Sequence, residues 1–354
     1  MYLRKKFVYL YPNSTINDND MRKILLLVTL LWGSVCGFAQ TDKTVVGAYV
    51  AAWSDIVPDP NVMTHLFYAF GGVNETFNGV DINRPERLQM IVGLKAQNPE
   101  LKILLSVGGW KSGRFSEMAA TQEYREAFAK DCRRIVDEIG LDGIDIDWEY
   151  PTSDAAGISS SPDDTENFTL LMMALRQQLG EGRLLTMATV CDAKYIDFKA
   201  CMPYVDLVNV MSYDMSEPQN AHHAALHRSP ISGYCTSDEA VEAHLKAGVP
   251  KDKLVMGIPF YGKGRMDDPG IRQFLETGTL PEGYQDCWSE EGQVPYIVNE
   301  KGDFLWGYEN ERSLTAKCQY IKDNGLRGGM YWEYSVDTPQ GDRRNTVYRN
   351  LITR

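Results

Sequence analysis

The run Asp142-Gly143-Ile144-Asp145-Ile146-Asp147-Trp148-Glu149-Tyr150-Pro151 loads four carboxylates onto a stretch that otherwise reads as a buried strand. Side chains alternate across a strand, so Asp145, Asp147 and Glu149 share one face and Ile144, Ile146 and Trp148 the other. At about 3.3 Å per residue, Asp147 and Glu149 stand roughly 6 to 7 Å apart, close enough for each charge to disfavour the other. One of the two is expected to stay protonated near neutral pH. A protonated carboxyl beside an ionised one is what general acid catalysis needs, which makes Glu149, at the C-terminal end of the strand, the candidate acid.

Asp142 has the opposite parity and sits near the strand start, so a structural role is expected for it. Asp145 is intermediate and is expected to share a proton with Asp147. Two other readings compete: a hard-cation site, or carboxylates meeting basic partners in a structural network. No dedicated cation-loop spacing lies nearby, and the five histidines show no H-E-x-x-H pattern. No metal and no cofactor are expected.

D-G-I-D-I-D-W-E resembles the D-x-x-D-x-D-x-E signature of glycoside hydrolase family 18, the chitinase family. Ser106-Val107-Gly108-Gly109-Trp110 resembles the family's S-x-G-G segment, and Met211-Ser212-Tyr213-Asp214 its M-x-Y-D segment. Gly257-Ile258-Pro259-Phe260-Tyr261-Gly262 and Met330-Tyr331-Trp332-Glu333 extend the likeness in the order the family has them.

The resemblance implies a retaining, substrate-assisted mechanism, for which the sequence itself offers no obvious second carboxylate as nucleophile. The 2-acetamido oxygen of the substrate then attacks its own anomeric carbon. Glu149 protonates the leaving oxygen and later activates water, Asp147 orients the acetamido N–H, and Tyr213, with Asp214, holds the acetamido group from the other side. Sugar faces pack on aromatic rings, so the family likeness also places Phe70, Trp110, Tyr150, Tyr261 and Trp332 along a cleft, with Trp332 as its floor. Phe70 and Tyr261 fit a core position equally well. Met211 shares the strand face of Tyr213 and is expected to line the pocket wall. The implied substrate is a β-1,4-linked N-acetylglucosamine chain, chitin or its oligosaccharides. The alternatives are an endo-β-N-acetylglucosaminidase cutting the chitobiose core of N-glycans and a catalytically silent sugar-binding protein.

The elements that must position these groups read independently of the likeness. Short β-rich runs span Val45 to Val50, Leu66 to Phe70, Ile103 to Val107, Ile144 to Glu149, Leu184 to Val190, Val205 to Tyr213, Leu254 to Ile258 and Gly328 to Tyr334. Helical spacing runs through Tyr124, Phe128, Cys132, Ile135, Val136 and Ile139 up to Gly140, and similar patterns fit Glu166 to Leu179 and Ser313 to Lys322. Thr236 and Glu239 form a capping-box pair for a helix ending near Gly248. Strand and helix alternate, which predicts a parallel sheet and, with eight strands, an α/β fold of the (β/α)8 TIM-barrel type. In that fold the chemistry gathers at the C-terminal strand ends, where Glu149, Tyr213, Asp214 and Trp332 fall. About thirty residues separate Gly262 from Val294-Pro295-Tyr296, so a short insertion after the seventh strand and a low cleft wall are expected. Gly108 and Gly109 ease a tight turn, and His222 and His223 read as solvated loop residues.

Apolar residues make up 44% of the chain, ample for one barrel core, and a net charge of −12 excludes a nucleic-acid-binding surface of the usual basic kind. Arg22 and Lys23 precede the apolar stretch Ile24 to Trp32, and Gly37 and Ala39 flank a cut before Gln40, so residues 1–39 read as an extension and signal peptide and residues 40–354 as one catalytic domain. Export to a secreted, periplasmic or surface location follows, with lipid anchoring at Cys36 the minority reading; a monomer without a membrane span or nucleic-acid partner is expected. The other six cysteines, Cys132, Cys191, Cys201, Cys235, Cys287 and Cys318, either pair in an oxidising compartment or remain scattered buried thiols.

Overall fold

A computed structural model describes residues 44–216 and 220–352. The expected signal segment, with Cys36, lies outside them. The chain builds β1 (Val45–Ala51), β2 (His65–Val73), β3 (Val80–Ile82), α1 (Pro85–Val92), β4 (Lys102–Gly108), α2 (Phe115–Ala120), α3 (Gln122–Ile139) and β5 (Gly143–Asp147). It continues through α4 (Asp164–Leu179), β6 (Leu184–Val190), α5 (Phe198–Cys201), β7 (Leu207–Met211), α6 (Ser237–Ala247) and β8 (Leu254–Pro259). An inserted segment then carries β9 (Lys263–Gly264), α7 (Pro269–Thr277), β10 (Gln285–Ser289), β11 (Val294–Val298) and β12 (Phe304–Gly307). The last elements are α8 (Glu311–Asp323), β13 (Gly328–Trp332) and α9 (Asp342–Ile352).

Strands β1, β2, β4, β5, β6, β7, β8 and β13 pair in parallel in that order, and β13 pairs back onto β1, closing the (β/α)8 barrel. The alternation of side chains divides the core in two. Outward residues such as Val46, Leu105, Ile144, Ile146 and Val210 pack against the helices, while Tyr49, Phe67, Leu104, Val255 and Met330 fill the barrel. Trp148 follows the outward parity and stacks on Phe115, with ring centroids 5.3 Å apart. Its companions of opposite parity, Asp145 and Asp147, therefore point inward, as the sequence predicts.

The helix expectations hold at both ends. Gly140 caps α3 in the left-handed region at φ 82°, and Thr236 with Glu239 forms the capping box of α6. The insertion is larger than the count to Val294 suggests: it runs to Gly307 and folds as a four-stranded antiparallel sheet, ordered β10-β11-β12-β9, beside α7. It has its own apolar cluster of Ile271, Ile297, Leu305 and Trp306. Among the described residues no helix is long and apolar enough to cross a membrane.

Candidate active site

The register of the central strands assembles the floor of the site. Asp145 on β5 faces Ser106 on β4 and Thr186 on β6 as direct neighbours. Both hydroxyls donate to its carboxylate, Ser106 Oγ at 2.7 Å and Thr186 Oγ1 at 2.5 Å, and Tyr49 Oη (2.9 Å) and Asn209 Nδ2 (3.3 Å) complete the set. Burial raises the Asp145 carboxyl, and these four donors oppose that shift. Donors from four other strands thus occupy the Asp145 oxygens. Asp142 matches its structural assignment, accepting from the Ile103 backbone N–H at 2.7 Å and pairing with Lys95 at 2.7 Å.

Asp147 lies one layer higher and is 4% exposed, with Oδ1 buried and without a hydrogen-bond partner. Burial first, then the charges of Glu149 and Asp145, push its carboxyl well above the usual range. Glu149 lies just past the end of β5, where burial chiefly, with the Asp214 charge in support and against a Tyr150 hydrogen bond, pushes it up to about 7. Both acids of the motif thus resist ionisation, and Glu149 is poised to give and take a proton near neutrality.

On the opposite wall, Tyr213 keeps its hydroxyl protonated because burial and the nearby Asp147 and Glu149 charges raise it. Asp214 behaves in the reverse sense. Burial alone raises its carboxyl, but the His223 ring, with Nδ1 3.6 Å away, and the contacts from Lys263 and Tyr261 outweigh that and hold it well below the usual range. Lys263 Nζ is 2.7 Å from Asp214 Oδ1, and Tyr261 Oη donates to the same oxygen at 2.7 Å.

These groups line a cleft of about 700 Å³ at the C-terminal end of the barrel. The structure brings Asp147, Glu149, Tyr213, Asp214 and Met211 to it, along with Phe70, Trp110, Tyr150, Tyr261 and Trp332. Asp145 is the one predicted site residue that supports the cleft from beneath rather than lining it. Phe70 and Tyr261, divided between core and cleft on sequence, are half-buried and line it. Phe70 stacks on Trp332 at 5.6 Å, which sits against Tyr49 at 5.8 Å, while Trp110 approaches Tyr150 at 6.3 Å. Of the insertion, Lys263 lines the cleft.

Sequence reasoning missed several lining residues. Trp53, 62% exposed and 6.2 Å from Trp332, falls just past the end of β1 and obeys the same rule that identified Trp110. Tyr234 and Lys263 carry no local signal. His222 and His223 are fully buried, not solvated as expected: the rings stack at 5.7 Å, and His223 packs on Tyr261 at 5.1 Å behind Asp214. A charged-looking pair in a predicted loop gives no hint that the loop turns inward.

The sequence model of the family described as Glycosyl hydrolases family 18 matches residues 44–337. Chitinase A1 of Niallia circulans is 33% identical over 326 residues, covering 78% of this chain and 46% of its own length, so this chain spans about half of that relative. Chitotriosidase-1 of Mus musculus is 32% identical over 367 residues, covering 90% of this chain and 77% of that one. Among solved structures, a glycoside hydrolase family 18 N-acetylglucosaminidase from Paenibacillus barengoltzii superposes with a TM-score of 0.79 at 33% identity, covering 87% of this chain and 100% of that one. With the acidic β5 strand, the M-x-Y-D wall and the barrel all in the family's arrangement, the chain belongs to glycosyl hydrolases family 18.

Proposed function

We propose that the protein is a retaining, substrate-assisted hydrolase of β-1,4-linked N-acetylglucosamine chains. One observation carries the reading: among the described residues, no carboxylate at the cleft is free to act as a nucleophile beside a protonated Glu149. Asp145 is saturated by four donors, Asp214 is bound to Lys263 and Tyr261, and Asp147 shares the face and the raised proton affinity of Glu149. The substrate must then bring its own nucleophile.

Glu149 donates its proton to the glycosidic oxygen as the acetamido oxygen closes on the anomeric carbon. The cyclic oxazolinium ion is positive, and Asp147 stabilises it by accepting from its N–H through a carboxyl oxygen, while the Tyr213 hydroxyl fixes the acetamido carbonyl from across the cleft. Glu149, now ionised, removes a proton from the water that opens the ring and restores the original configuration. The Phe70–Trp332 stack supplies the apolar face for the sugar at the cleaved bond.

A second reading, removal of single sugars from a chain end by this protein, is prompted by the likeness to the Paenibacillus structure, whose protein is an N-acetylglucosaminidase. Product analysis by mass spectrometry on chitin oligosaccharides, with an N-glycopeptide alongside, tests the proposal. Internal cuts of the oligosaccharide are expected. Monosaccharide as the sole first product would favour the second reading, and cleavage confined to the glycopeptide would favour an N-glycan enzyme. Hydrolysis of a substrate lacking the acetamido group at an equal rate would overturn the mechanism.

A further inference from the structure

Tyr150 lines the cleft directly after the acid, and its ring stacks on that of Tyr195, a half-buried residue of the loop between β6 and α5. The ring centroids lie 5.3 Å apart at an interplanar angle of 11°, the offset-stacked arrangement that aromatic pairs favour. Trp110 meets Tyr150 at 6.3 Å and 58°. Tyr195 holds this position in the left-handed region, at φ 71°. Glycine adopts that region freely and asparagine tolerates it, but a bulky side chain there crowds its own Cβ against the following carbonyl.

Adjacent residues on the first turn of α4 anchor the two loops that bring the tyrosines together. Thr165 Oγ1 donates to Tyr195 O at 2.8 Å. Asp164, fully buried, accepts from Thr152 N–H at 3.2 Å, Ser161 N–H at 2.7 Å and Ser116 Oγ at 2.7 Å, which fixes the chain leaving β5 through Tyr150. Thr152 is itself left-handed, at φ 63°. Both loops are thus tied to one helix in backbone conformations that their residue types disfavour, and the stack is the contact they make.

We propose that Tyr195 is a positioning residue, whose ring fixes that of Tyr150 as a wall for the sugar beside Glu149. The inference rests on the sugar-chain hydrolase reading above. A flat ring serves a pyranose face best when its tilt is set before the sugar arrives; a Tyr150 ring free to turn has to be ordered on binding, which weakens affinity. The stack acts on bound substrate and transition state alike, so its loss should fall on KM rather than on kcat.

The strained backbone supplies the test. Tyr195→Asn and Tyr195→Gly remove the ring and suit the left-handed backbone, whereas Tyr195→Phe keeps the ring; turnover of chitin oligosaccharides and thermal melting by circular dichroism are measured for each. KM is expected to rise about fivefold in the Asn and Gly variants with kcat unchanged, and to match wild type in Tyr195→Phe. Tyr195→Asn should melt no lower than wild type, because relief of the backbone offsets the lost stacking. A residue that merely fills space would give the reverse, a lower melting temperature with KM unchanged, and that result would overturn the proposal. So would a KM raised equally in Tyr195→Phe. The function proposed above fails separately, if the wild type leaves chitin oligosaccharides uncut. The comparison is then made on dissociation constants for the same oligosaccharide, where equal values in wild type and Tyr195→Asn would overturn the positioning role.

Discussion

Glu149 holds its proton because burial withholds water from the carboxylate, and that same burial makes the ionised side chain a burden on the fold. The carboxyl rises from 4.5 in the unfolded reference to about 7 in the folded protein. The folded state therefore binds the proton more tightly, and the stabilisation this gives is full below the unfolded value and lost as pH rises through about 7. Glu149→Gln removes the ionisable group without changing its shape. Relative to wild type, the variant should be unchanged in stability at about pH 4 and more stable by about 1–3 kcal/mol at about pH 8, read from urea midpoints. Its kcat should fall by about 10²–10⁴, the usual worth of a general acid. A stability difference independent of pH would mean that Glu149 titrates like an exposed carboxylate. In the wild type, activity should decline as pH rises through the same range, because the acid is then lost before the bond is cleaved.

Among the elements, β4 and β5 meet more closely than ordinary strands allow. Gly109 N–H donates to Asp147 O at 2.8 Å, and a Cβ on Gly108, whose φ is 129°, would lie 1.9 Å from that same oxygen. Gly108→Ala must push β4 off the strand that carries Asp147 and Glu149. A loss of about 2–4 kcal/mol is expected, with kcat reduced even at temperatures where the variant stays folded, as measured by circular dichroism alongside turnover. Unaltered kcat in the folded variant would show that the strand end tolerates the shift. The glycine pair was legible as a turn, and so were the barrel strands and the alternation of β5, because each is a local pattern repeated over several residues. Strand ends were less so: Glu149 and Tyr213 lie beyond strands that periodicity extends to include them. The inserted sheet escaped detection because its strands are two to five residues long, too short to show a period. The roles of Lys263, Tyr234 and the buried histidines depend on chain segments distant in sequence, which no local pattern records.

Across the whole molecule, a single buried ion pair joins three parts that otherwise belong to different layers. Lys317 on α8 and Glu309, at the exit from the inserted sheet, are both fully buried and hydrogen-bonded to each other. Lys317 Nζ also donates to Ala224 O at 2.6 Å, reaching the segment where His222 and His223 back the catalytic wall. Burial lowers the Lys317 ammonium and Glu309 opposes that shift, so the charge is held by its partner. Glu309 Oε2 has no hydrogen-bond partner, which leaves the carboxylate dependent on Lys317. Replacing one member should therefore cost more than the pair contributes. Lys317→Met is expected to destabilise the protein by about 3–5 kcal/mol, because it strands a charge in the interior. Lys317→Met combined with Glu309→Leu should recover most of that loss, since the desolvation of both charges disappears together. Urea unfolding of the four members of this double-mutant cycle measures the coupling directly. If the double variant is as unstable as the sum of the singles, the pair holds the insertion, α8 and the catalytic wall together by packing and geometry rather than by mutual neutralisation.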